Sequence, residues 1–233
     1  MIKMTKKISA VLATWVLAIT PTFAANSNVW TIDSAQSAVT FKVKHLSWET
    51  ISGRFNKVAG TVIYDGKNLR DSTVEASIET QSIDTKQNKR DEHLRSKHFF
   101  DVAEFPNITF KSEKIVPEDG GAFKIKGLIS MHGYAREIDL NAQPLKEIVS
   151  LDGEKRLIAS ASTQLDRKDF GISIGFFDKG GALVGDKVQV TLNIELINSA
   201  NTSTPNTPFR RFGHDKKMFN YRVALASCDV PQP

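Results

Sequence analysis

The chain of 233 residues has a single cysteine, Cys228. One thiol cannot form an internal disulfide, so the fold must rest on its own core. Signatures of chemistry are also missing. No GxSxG elbow occurs, and no HExxH pair. The 14 glycines are scattered through strand-like stretches and turns rather than gathered into a phosphate-binding loop. Glycines so placed mark bulges or close approaches of backbone in curved sheets. Charge of one sign is scarce as well. The formal net charge is +5, and three of those charges are Lys3, Lys6 and Lys7 in an N-terminal stretch without acids, which leaves +2 for the remainder. A remainder so near neutrality lacks the electrostatic footprint of a nucleic-acid binder.

Long apolar runs are limited to Ile8–Ile19. This run follows the three lysines, is too short for a comfortable bilayer span, and is broken by Pro21. Thr22-Phe23-Ala24 offers small residues where a signal peptidase reads. Residues 1–24 are therefore expected to be a cleaved signal peptide, and the remainder an exported, periplasmic protein. No cysteine stands at the expected cleavage point, so a lipid anchor is not expected. About 205 residues remain, enough for one sizeable domain without covalent staples.

What is present in quantity is alternation with a period of two. Val39, Phe41 and Val43 oppose Thr40, Lys42 and Lys44. Val74, Ala76 and Ile78 oppose Glu75, Ser77 and Glu79. The same pattern runs through 123–131, 157–162 and 188–196. It is the pattern of antiparallel strands with one wet face. Stretches 54–64, 107–115 and 137–149 bring the number to about eight, separated by turns at Asp65-Gly66, Asp119-Gly120-Gly121, Asp152-Gly153 and Gly180-Gly181. The expected fold is all-β, a sandwich or a barrel, and closure into a barrel would remove the exposed edges. One or two helical turns are expected around 88–96, and a loop with one turn over 165–177. The domain is expected to span 27–198. From 199 to 233 the composition becomes that of a disordered linker followed by a basic, aromatic tail, FRRFGHDKKMFNYR. A tether to anionic lipid is the functional alternative for it.

The titratable candidates are weak as chemistry. His93 and His98 are five apart, which on a helix turns them away from a common face. A zinc site from these two with Glu92 or Asp101 is the less favoured reading. Asp166 and Asp169 flank Arg167 and Lys168, as in a salt-bridged loop, which is favoured over an acid/base pair. His45 and His132 stand in or beside apolar strands. What stands out is apolar volume: 14 phenylalanines, with small residues (Ala76, Gly127, Ala159, Ala161) on faces expected to point inward. A barrel of eight strands encloses either its own side chains or a small ligand.

Six stretches in series make the chain resemble a known family. They are WTIDSAQSAVTFKVKHL, SGRFNKVAGTVIYD, RDEHLRSKHFFDVAEFPNITFKS, KIKGLISMHGYAREIDL, LDRKDFGIS and VGDKVQVTLNIEL, spanning about 29–197. Together they resemble the YceI-like family of exported, lipocalin-like, polyisoprenoid-binding proteins. Trp48-Glu49 and Tyr134 depart from its usual pattern. The resemblance implies an extended antiparallel eight-stranded barrel with an internal lipid pocket, no catalytic residues and no cofactor. It implies a long isoprenoid guest, a quinone or isoprenyl phosphate, or a similar amphiphile such as a fatty amide. On that basis Phe41, Val43, Phe99, Phe100, Phe105, Phe110, Ile129, Phe170 and Phe176 are expected to line or close the pocket. His45 and His132 are expected to meet the headgroup. Residues 90–98 would form a solvated helix, its charges in water or local ion pairs. An enzyme acting on a lipid in the barrel and a packed structural barrel are the rival readings. Transient membrane contact and a homodimer sealing its open ends are compatible with the first.

Overall fold

The computed structural model describes residues 28–45, 49–151, 153–172 and 184–199. In it the segment FKIKGLISM buries Phe123, Ile125, Gly127, Ile129 and Met131 and leaves the residues between them more accessible. The same arithmetic of side chains builds the sheet. Its segments are β1 (Val29–Ile32), β2 (Ala38–His45), β3 (Glu49–Phe55), β4 (Val58–Ile63), β5 (Thr73–Glu79) and β6 (Ile83–Asp84). They continue with β7 (Asn107–Pro117), β8 (Phe123–Met131), β9 (Tyr134–Ala142), β10 (Lys146–Val149), β11 (Lys155–Asp166) and β12 (Val184–Asn198). One helix, α1 (Asn88–Arg95), lies between β6 and β7.

These twelve segments make eight rows. β1 and β2 run in one row along β12, and β4 and β3 run back beside them. β5 and β6 form the next row, then β7 and β8, then β9 with β10, then β11. β11 pairs with β12 over eleven consecutive residues, from Arg156↔Ile197 to Asp166↔Lys187. The last row thereby lies between the first and the seventh, and the sheet closes into an antiparallel barrel of eight strands. Gly60 and Gly127 permit close approaches inside it. A Cβ on Gly127 would stand 2.3 Å from the Lys111 carbonyl oxygen, and one on Gly60 2.4 Å from that of Glu75.

Two buried clusters line the barrel interior. The larger gathers Trp30, Val39, Phe55, Ile83, Leu94, Phe99, Ile129 and Phe170 with their neighbours. The smaller gathers Ile115, Phe123, Ile125, Leu140 and Ala142. The chain order places α1, the β2–β3 and β8–β9 connections and the turn after β11 at one end of the rows. The connections after β4, β7 and β10 lie at the other.

Helix α1 differs from the solvated helix expected for 90–98. Asp91 is buried and accepts hydrogen bonds from the Thr85 amide (2.9 Å) and the Thr85 hydroxyl. Arg90 donates to the Thr85 carbonyl, and Arg95 to the carbonyls of Gln81 and Ile83. These charges satisfy backbone groups left over where the sheet ends, so they stitch the helix down over Leu94 instead of facing water.

Candidate functional site: the barrel interior and its helix-covered end

Residues paired across an antiparallel ladder share a face, so register identifies the inner lining. Phe41 lies opposite Gly53 on one side and Val190 on the other. Its ring reaches over Gly53, where a Cβ would come within 2.3 Å of Cζ. Phe41 also meets Phe55 at 5.8 Å between centroids, and Phe55 meets Phe100 edge-on at 5.9 Å. Rings thus run from the end loop into the interior. Val43 and Ile129 are buried, and Phe99 is buried with its ring 4.9 Å from that of His93. Phe110 pairs with Ala76 and Ile129 and packs against both clusters.

His132, at the tip of the β8–β9 hairpin, has a left-handed backbone (φ 50°). Its Nδ1 donates to the carbonyl of Phe170 at 2.9 Å, and Phe105 stands edge-on to its ring at 5.0 Å. His132, Phe105 and the almost fully buried Phe170 therefore come together as a latch between the hairpin and the turn after β11. With Nδ1 committed, Nε2 is the nitrogen left for any guest. His45 ends β2, paired in backbone register with Glu49 and Val184; its side chain lies outside the described residues, as does Phe176.

Several lining residues were not singled out from sequence. Ile138, Leu165, Val190, Leu192 and Ile194 are inward-facing and apolar, yet only partly buried. Together with Phe41, Ala76 and Phe110 they form a band that keeps accessible surface while packing against the buried clusters. The signal that would have found them is the ladder parity with Phe41 and Gly127. The wall is also incomplete among the described residues. β9 pairs with β11 at Asn141 and Ala142 and then separates from it, so residues 134–140 have a ladder partner on the β8 side alone.

The carboxylates with shifted pKa values lie away from this inner face. Two clefts, of about 480 and 350 Å³, lie outside it; Asn56, Asp84, Asn88 and Arg95 line the larger. Asp84 there is held down to about 2 by hydrogen bonds from the Lys86 ammonium and amide. Asp166 is lowered by the Lys168 amide and by Lys187, whose Nζ is 3.1 Å away. It caps the turn Arg167–Phe170, in keeping with the salt-bridged loop expected there. Among the described residues no three His, Cys, Asp or Glu gather to hold a metal.

Against this geometry, comparison with known proteins is decisive: residues 30–196 match the YceI-like domain. The chain belongs to the YceI-like family. A UPF0312 protein of Vibrio cholerae is 36% identical over 154 residues, 65% of this chain and 82% of that protein. Another, from Shewanella denitrificans, is 32% identical over 171 residues, covering 72% and 88%. Among solved structures, BcnA of Burkholderia cenocepacia aligns with a TM-score of 0.62 at 20% identity, covering 70% of this chain and 98% of that one. A polyisoprenoid-binding domain from Saccharophagus degradans, implicated in plant cell wall breakdown, aligns with a TM-score of 0.55 at 16% identity, covering 72% and 98%. The YceI-like barrel expected from the six sequence stretches is thus the fold of this chain.

Proposed function

We propose that this YceI-like barrel binds, stores or carries a long-chain isoprenoid lipid, a quinone or an isoprenyl phosphate, without transforming it. The observation that carries this reading is the inner band of apolar side chains that retain accessible surface beside two buried clusters. Inward-facing apolar surface left accessible is unfavourable, and a hydrocarbon guest would cover it. Each buried methylene contributes about 0.8 kcal/mol, so ten guest carbons would gain about 8 kcal/mol before ordering costs. Such a lining selects by length and width of the chain, and polar groups near an opening select the headgroup. His132 and His45 are the headgroup contacts expected from sequence, and for His132 the nitrogen available is Nε2.

The leader and its apolar run support an exported, periplasmic carrier; sequencing the N-terminus of the protein from the host should find cleavage after Ala24 or Ala25. Native mass spectrometry of that protein, followed by solvent extraction, tests the guest. An isoprenoid recovered chemically unchanged is expected. No lipid bound, even after incubation with prenyl quinones and prenyl phosphates, would end the proposal.

A further inference from the structure

The inner face of β9 carries a charged residue that has no place in the packing described so far. Arg136 pairs with Ile129, and its fellows on that face of β9 are Tyr134, Ile138, Leu140 and Ala142. The acids of the strand, Glu137 and Asp139, have the opposite parity, and Asp139 faces Lys124 and Lys126. Arg136 is exposed although its Cβ starts from the inner face. Both facts hold at once because this part of β9 borders the opening where β11 has separated. Ile138, two residues along the same face and so about 7 Å away, packs against both buried clusters.

The guanidinium is positioned by its neighbours. Its Nη1 donates to the Ala135 carbonyl at 2.9 Å, and its Cζ stands 5.6 Å from the centroid of the Tyr134 ring. Tyr134 in turn lies against Gly171 in the turn after β11. Among the described residues no carboxylate pairs with Arg136. Most of its five donors are left over, in a planar fork that matches an oxyanion.

We propose that Arg136, steadied by Tyr134, is the oxyanion-binding group at the β9–β11 opening, and that the preferred guest is an amphiphile with an acidic head, a phosphate or a carboxylate, rather than a neutral quinone. The proposal rests on the lipid-container reading. The chain lies on the lumen side past Ile138, and the head stays at the opening on Arg136. A charge-assisted contact of this kind gives a preference of about tenfold or more over the neutral head.

The test uses the full chain without its leader, with geranylgeranyl phosphate, geranylgeraniol and inorganic phosphate as probes in calorimetry. Wild type is expected to bind the prenyl phosphate about tenfold or more tightly than the alcohol. Arg136→Gln is expected to remove that preference while leaving the alcohol unchanged, and Arg136→Lys to keep most of it. Binding of inorganic phosphate that Arg136→Gln abolishes would support the oxyanion site and widen it to free anions; no such binding, with the lipid preference intact, would support it for headgroups alone. Equal affinity of wild type for the two lipids, or an equal fall for both in Arg136→Gln, would overturn the assignment and leave the container standing. If wild type binds neither lipid, the container itself fails.

Discussion

Enlarging Ala161 separates an open lumen from a packed one by the sign of the result. Ala161 faces inward, pairs with Ala142 and Leu192, and is only partly buried. Ala161→Leu adds three carbons. If they enter free space they contribute about 0.8 kcal/mol each, or about 2.4 kcal/mol gross. Ordering the leucine costs about 0.5–1 kcal/mol, which leaves about 1.5 kcal/mol of added stability. For a barrel of this size that raises Tm by about 3–6 °C. In a filled interior the same carbons overpack, costing about 1–3 kcal/mol and lowering Tm instead. Thermal denaturation of delipidated protein reads the sign. Titration with a prenyl quinone reads the second consequence, weaker uptake, because leucine occupies the guest's space. A lower Tm with unaltered uptake would refute the reasoning.

His132→Asn keeps a residue that tolerates the left-handed backbone but loses the Phe105 contact and the bond to Phe170. A loss of about 1–2 kcal/mol in urea unfolding is expected; an unchanged midpoint would dismiss the latch. Asp91→Ala leaves the buried Thr85 amide and hydroxyl without their acceptor. The expected cost is about 2–3 kcal/mol, read in the same assay, with faster amide exchange in α1. Asp84 should titrate at about 2 rather than 3.8. Because its folded value is depressed, its stabilising contribution is complete above the unfolded value and disappears as pH falls toward 2. Carboxyl carbon shifts followed from pH 5 to below 2 would show it, and a midpoint at the ordinary value would contradict the Lys86 contacts.

Strand identity was legible wherever one face of a strand is uniformly apolar, as at 39–44 and 123–131. It blurred where that rule breaks. The segment Glu49–Phe55 carries Gly53 inward, leaving room for Phe41, so its alternation is interrupted by a residue without a side chain. β9 begins at Tyr134, three residues ahead of the 137 expected from hydrophobicity, because two of its inner-face positions hold Tyr134 and Arg136. That shortening is why Arg136 was not among the expected site residues. Helical turns around 88–96 are legible in the sequence, whereas the partners of their charges are not. Composition does not show that Arg90, Asp91 and Arg95 answer the unpaired backbone of residues 81–85. The number of strands leaves a sandwich and a barrel both open, and the resemblance implies the closed form. Which strands seal it was not legible, since the β2–β12 pairing joins residues some 150 apart through no local signal.

That pairing constrains when the barrel can enclose anything. The row that completes the tube is the last to be made, and it supplies neighbours to both the opening and the penultimate rows. Without residues 184–198 the first and seventh rows have no common neighbour, and the barrel is not closed. A guest held as proposed could be enclosed only once residues 184–198 are in place, and a truncation that removes this strand abolishes the vessel as a whole instead of shortening it.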